Sequence, residues 1–239
     1  MYRLHGFCQS GSTFKVAFLL RALGQSWEPV FVDYMHGVTR EAAWREATNE
    51  MGEVPILEDG PRRFTQSGLI LSYLAQKHGA FHGASEDEQH EVLRWLFFDN
   101  HKFTSYFASY RFMKAFGATA PDTAVMSWLR GRLDSAFTIV NKHLETRPFM
   151  VGGAPTIADF SLCGYLFNPV EESEYEVETR FRTTTPGCPA SKRYLGGHLR
   201  MKSCRANASR RSGRRTDALR HDRRRRCMPL MSNVKRQIS

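Results

Sequence analysis

Two hydroxyl-bearing residues in this chain stand where a helix begins, a place suited to binding an anion. Ser10 follows the alternating run Tyr2, Leu4, Gly6 and precedes an apolar helical stripe of Val16, Leu19, Leu20 and Leu23 that Gly24 ends. At such a strand-to-helix turn, unpaired backbone N–H groups and the positive end of the helix dipole favour negative charge. Ser67, with Gln66 beside it, precedes a second stripe of Leu69, Ile70, Leu71, Tyr73 and Leu74, and the pattern predicts Ser67 as the cap of that helix. Taken singly, each serine is also an ordinary N-cap and Gln66 carries no message. Cys8, two residues before Ser10, could be a redox nucleophile if it faced the helix start. Its position at a strand end fits a buried small hydrophobe better, as does that of Cys163. No Cys-x-x-Cys occurs among the five cysteines, so disulfide exchange of the thioredoxin kind has no motif. His78 and His82 have i,i+4 spacing, but Gly79 and Gly83 break the helix that would aim both at one ion, and no metal is expected. Neither a phosphate loop nor a dinucleotide fingerprint is present.

The elements that must position these residues fall into two textures. Residues 1 to about 80 alternate strand and helix patterns: Pro29-Val30-Phe31-Val32 reads as a second strand, and Val54-Pro55-Ile56-Leu57 as a third that turns at Glu58-Asp59-Gly60. The order is β-α-β, then β-β-α. After a turn-rich junction, residues 86–181 show only helical periodicity. Val92, Leu93, Leu96, Phe97 and Phe103 begin one long aromatic-rich helix that runs past Tyr106, Phe107 and Tyr110. Leu129, Leu133, Phe137, Val140 and Leu144 mark one face of another, and Thr156-Ile157-Ala158-Asp159 is a capping signal before a third. An α/β domain followed by an all-α domain is expected.

Charge divides the chain again. Residues 1–181 carry 17 Lys+Arg against 22 Asp+Glu, whereas residues 182–239 carry 17 against 2. The net charge of +10 therefore belongs to an Arg-rich end segment with almost no apolar periodicity, which is expected to be disordered. Such a segment binds phosphate non-specifically, but without interleaved aromatics or a motif it argues for no specific nucleic-acid partner. No apolar run reaches the roughly 18 residues of a membrane span, so no membrane partner is expected. The opening MYRLHGF has no basic and apolar leader, so a reducing, cytoplasmic setting is expected.

Four motifs in order carry a resemblance: Ser10-Gly11-Ser12-Thr13-Phe14-Lys15-Val16, Gly52-Glu53-Val54-Pro55-Ile56-Leu57, Thr65-Gln66-Ser67-Gly68 with the following Leu69 to Leu74, and Thr156 to Asp159. Together, across about 170 residues, the chain resembles a cytosolic glutathione transferase of the bacterial type. The resemblance implies a thioredoxin-like first domain, a helical second domain, glutathione as co-substrate, a small electrophile as its partner and a homodimer. It implies that the Ser10 hydroxyl supports the glutathione thiolate. Lowering a thiol from its ordinary pKa near 8.5 by one or two units takes roughly 1.4 to 2.7 kcal/mol, the size of one hydroxyl hydrogen bond plus a helix terminus. Pro55 matches a cis-proline that lets Val54 pair with the glutathione backbone, and Gln66 and Ser67 match the pair that holds the γ-glutamyl end. The aromatic face with Phe103, Tyr106, Phe107 and Tyr110 is where the family places its electrophile pocket. Ser12 and Glu53 depart from the pattern. An acid at Glu53, beside the carboxylates of the peptide, is expected to weaken glutathione unless Arg40 or another cation compensates. A transferase-fold binding protein without catalysis is the alternative.

The resemblance stops after Phe181, where relatives continue through further helices. Read one base upstream of its frame, the segment from Arg182 permits Pro-His-His and then Ala-Trp-Leu-Ser-Arg, while Lys192 to Gly197 permit Glu-Ala-Leu-Pro-Gly-Trp, an ordered set that resembles the family's ending. Residues 182–239 are therefore expected to be the wrong-frame translation of an ordinary transferase C-terminus.

Overall fold

A mixed four-stranded sheet organises the first half of the chain in this computed structural model, which describes residues 1–117 and 119–175. Strand β1 (Tyr2–Gly6), helix α1 (Gly11–Ala22) and strand β2 (Trp27–Phe31) form a parallel unit with Tyr2 opposite Trp27 and Gly6 opposite Phe31. Strands β3 (Ile56–Asp59) and β4 (Arg62–Thr65) form a hairpin that turns at Gly60, φ +59°, a backbone state glycine adopts without strain. β3 runs antiparallel to β1 with Leu57 opposite Leu4, giving the order β2-β1-β3-β4. Helix α3 (Ser67–His78) packs beside α1, and the expected stripes supply the core: Leu4, Val16, Leu19, Leu20, Leu57, Ile70, Leu71 and Leu74 are all fully buried.

Three details differ from expectation. Between β2 and β3 the chain makes two single 3₁₀ turns, Tyr34–His36 and Val38–Arg40, and the six-residue helix α2 (Ala42–Ala47). No residue of α2 is buried, so it leaves no apolar stripe to read. Gln66 rather than Ser67 is the N-cap of α3, and Ser67 is its first helical residue. The aromatic-rich helix is two helices, α4 (Glu86–Phe98) and α5 (Thr104–Ala115), joined end to end by a π turn at Asp99–Phe103. That wider turn rotates every side chain after it relative to an ideal 3.6-residue count.

The remaining helices follow their signals. Helix α6 (Thr123–Leu144) buries Leu129, Leu133, Phe137, Val140 and Leu144. Helix α7 (Ile157–Leu162) starts with both arms of a capping box between Thr156 and Asp159, and a short α8 (Val170–Ser173) follows. The two halves share one apolar core: Phe18 of α1 meets Phe160 of α7 at 5.0 Å between ring centroids, and Phe81 of the junction meets it at 5.1 Å. Within that interface Lys15, fully buried, donates to Asp99 Oδ2 at 2.5 Å and to Thr104 Oγ1 at 2.7 Å. The expected disorder of residues 182–239, and the end of the helical domain from 176 to 181, lie outside the described residues.

Candidate functional site

A cavity of about 590 Å³ opens between the two halves, and Ser10, Val54, Gln66 and Ser67 all line it. Sequence spacing alone had assigned these four residues to three separate segments. β1 delivers the chain to the head of α1, where Ser10 caps the helix: its backbone is extended and its Oγ accepts the Thr13 N–H at 3.1 Å. That bond uses a hydroxyl lone pair and leaves the hydroxyl hydrogen to be donated into the cavity. The next residue has to be glycine. A Cβ on Gly11 would stand 2.5 Å from both the Gly164 carbonyl oxygen and Tyr165 Cε2.

The second helix start differs. Gln66 sits at φ +65°, a left-handed state that costs a non-glycine residue on the order of 1 to 3 kcal/mol. Its side chain does not cap α3, and the first turn of α3 holds no acid. The first intrahelical bond runs from Ile70 N–H to the Gln66 carbonyl at 3.0 Å, so the N–H groups of Ser67, Gly68 and Leu69 precede it, as at any open helix N-terminus. Ser67 is buried beside this anion-favouring end. The Val54–Pro55 peptide is cis, and Val54 precedes the first paired residue of β3, so its peptide groups stand outside the sheet ladder. Glu53, next to it, accepts a hydrogen bond from Gln66 Nε2 at 2.6 Å. Arg40 is exposed, and no ion pair joins it to Glu53 among the described residues.

The far wall corrects one expectation. Phe103, Phe107 and Tyr110 are 1, 1 and 3% exposed and belong to the core, while Tyr106 meets Trp128 of α6 edge-on at 5.7 Å. The face of α5 turned to the cavity is the neighbouring one, with Thr104, Ala108, Arg111 and Phe112, opposite the stacked rings of Phe7 and Tyr34. Thr104, Ala108 and Phe112 keep i,i+4 spacing, a stripe visible in the sequence but masked by the more apolar aromatic one. Arg111 and Tyr165 were missed. Arg111 Nη1 donates to the Gln9 carbonyl at 2.7 Å, in the turn before Ser10. Burial pushes the Tyr165 hydroxyl above its ordinary pKa, with Arg111 and a hydrogen bond from Gly11 opposing, so it stays protonated at neutral pH.

Cys8 also departs from expectation. It lies exposed in the turn after β1, because that strand ends at Gly6 and the chain leaves the core before Cys8. Cys163 is fully buried as expected. His78 takes the Tyr2 hydroxyl at 2.8 Å, and among the described residues no cluster of His, Cys, Asp or Glu could hold a metal.

A four-stranded sheet of this order, a cis-proline before its third strand, two helix starts on one cavity and a helical second half define the thioredoxin-like fold of glutathione transferases. Comparison with known proteins agrees. Residues 4–84 match the glutathione S-transferase N-terminal domain family. The chain is 25% identical to glutathione S-transferase F14 of Arabidopsis thaliana over 181 residues, 71% of this chain and 70% of that protein. A crystal structure of a glutathione S-transferase from Pseudomonas fluorescens superposes with a TM-score of 0.70 at 28% identity, covering 83% of this chain and 96% of that one. A probable elongation factor 1-gamma 2 of Arabidopsis thaliana is 28% identical over 133 residues, 53% of this chain and 31% of that protein. These findings support a glutathione transferase family for the chain. Among the described residues no helix is long and apolar enough to cross a membrane.

Proposed function

We propose that the protein is a cytoplasmic, homodimeric glutathione transferase of the bacterial type that joins the glutathione thiolate to an electrophilic small molecule, or uses it to reduce a peroxide or disulfide. The observation that carries this reading is the convergence of Ser10, Val54, Gln66 and Ser67 on one cavity whose far wall, on α5, is formed by Thr104, Ala108, Arg111 and Phe112. In this reading Ser67 and the start of α3 take the γ-glutamyl carboxylate, Val54 pairs with the peptide backbone and the Ser10 hydroxyl donates to the sulfur. The thiol proton leaves to water. The thiolate pair then forms the new bond to carbon while the leaving group departs with its own electron pair. The α5 wall takes the electrophile.

Ser10→Ala tests the reading. Losing a stabilisation of roughly 1.4 to 2.7 kcal/mol lowers kcat about tenfold to a hundredfold with an aromatic chloride substrate, while glutathione affinity changes little. Unchanged turnover would move the chemistry away from Ser10.

One observation favours a second reading, a transferase-fold binding protein without catalysis. Gln66 is engaged by Glu53 at 2.6 Å, and an acid stands where the peptide carboxylates would come. Bound glutathione with no depressed thiol pKa, in a protein that forms a stable partner complex, would select it. We infer further that residues 182–239 are an out-of-frame translation, since their alternative frame permits the family's helical ending. Resequencing the gene or transcript across codons 170 to 239 checks this: one inserted or deleted base near codon 182 is the expected finding, and an intact frame overturns it.

A further inference from the structure

Arg111 is 4% exposed, yet its guanidinium is shared between partners from two different parts of the molecule. Nη1 donates to the Gln9 carbonyl at 2.7 Å. On the other edge, Nε donates to Glu172 Oε2 of α8 at 2.8 Å, and Nη2 donates to the same oxygen. The rings of Phe116 and Tyr165 flank the group at 5.2 and 5.8 Å. The turn that presents Ser10 has a local bond of its own, Ser10 N–H to the Phe7 carbonyl at 3.1 Å, and the helical half holds it from outside through Arg111.

We propose that Arg111 is a positioning residue for the thiolate site: it fixes the Gln9–Ser10 turn and supplies a positive potential at the head of α1, which Glu172 tempers. The inference rests on the reading of this cavity as a glutathione site. A guanidinium keeps its charge at any working pH, and a fixed cation near a thiol in a half-enclosed cavity favours the thiolate, whereas a nearby carboxylate opposes it. The geometry orients the pair, with the cation toward the Ser10 turn and the carboxylate behind it. Other groups face this place as well. Lys15 on α1 is spent on Asp99, Glu53 comes from the loop before β3, Tyr34 from the turn after β2 and Tyr165 from the segment after α7.

The test is a pH titration of the ultraviolet absorbance of bound thiolate in the full chain saturated with glutathione, for the unaltered protein, Arg111→Met and Glu172→Gln. Arg111→Met raises the midpoint by about half to one pH unit, with a matching loss of kcat at neutral pH that recovers at high pH. Glu172→Gln lowers the midpoint. Both substitutions break the same ion pair, so a purely structural role would move the two midpoints together or leave both in place, and either result overturns the proposal. Should Arg111→Met fail to fold, the downward shift in Glu172→Gln carries the test alone, and its absence sinks the idea. An unaltered protein that binds no glutathione removes the underlying reading and this inference with it, whereas a bound thiolate with unmoved midpoints removes only the inference.

Discussion

Glu53 is the residue whose chemistry runs against the site it borders. Its carboxylate accepts the Gln66 amide at 2.6 Å, turning toward itself a donor that the proposed glutathione contact would use. The side chain is exposed, so water and salt screen much of its repulsion toward an incoming carboxylate. Glu53→Gln removes the charge and keeps the length. Glutathione binding measured by calorimetry tightens roughly threefold to tenfold in this variant at low salt, with the gain shrinking as salt rises. An unchanged affinity would mean that Gln66 reaches the peptide despite Glu53. The convergence of Ser10, Gln66 and Ser67 on one cavity was readable in the sequence only because neighbouring motifs stood at matching spacing. Arg111 was not readable, since an arginine on an aromatic helix carries no sign that its guanidinium crosses to the opposite half.

At the level of elements, capping decides where helices start and thus where anion-binding ends point. The Asp159 carboxyl is the most constrained case: Oδ1 accepts Met150 N–H at 2.9 Å and Oδ2 accepts Thr156 N–H at 2.8 Å, locking the head of α7 to the loop before it. Burial pushes this carboxyl up to about 6, against the pull of the hydrogen bonds it accepts. Its unfolded-state value is near 3.8. Between about pH 4 and pH 6 the folded chain therefore keeps a proton that the unfolded chain releases, and this group's contribution to stability falls as pH rises through that window. Urea unfolding across the window checks it: Asp159→Asn flattens this part of the pH slope and, at neutral pH, costs on the order of 1 to 3 kcal/mol for the buried donors it leaves poorly matched. An unaltered slope would place the titration elsewhere. Elements with long stripes, such as α1, α3 and α6, were legible in the sequence because burial on one face writes the period directly. The π turn at Asp99–Phe103 was not. Backbone hydrogen bonding sets its extra rotation, and residue types do not encode it visibly.

The two halves are joined by a shared core and by a buried charge network around Lys15, so they are expected to unfold together. Lys15 of α1 donates to Asp99 and to Thr104, Thr104 donates to Asp99 Oδ1 at 2.7 Å, and Ser161 of α7 donates to Asp99 Oδ2. Gly164 leaves room for this lysine, since a Cβ there would stand 2.5 Å from Lys15 Cε. Removing one partner leaves an uncompensated buried charge, whereas removing both exchanges an ion pair for apolar packing. Lys15→Met therefore costs about 3 to 5 kcal/mol in urea unfolding, and Lys15→Met with Asp99→Leu regains part of that loss. The recovery is partial because Thr104 and Ser161 still lose their acceptor. Thr104 also lines the cavity, so the single variant weakens glutathione binding along with stability. Fluorescence of Trp95, buried in the helical half, in a variant with Trp27, Trp44 and Trp128 replaced by Phe, and far-ultraviolet dichroism of the whole chain follow one transition. Two separated transitions would mean that the shared core does not couple the halves, and the site between them would then depend on a docking equilibrium rather than on the fold itself.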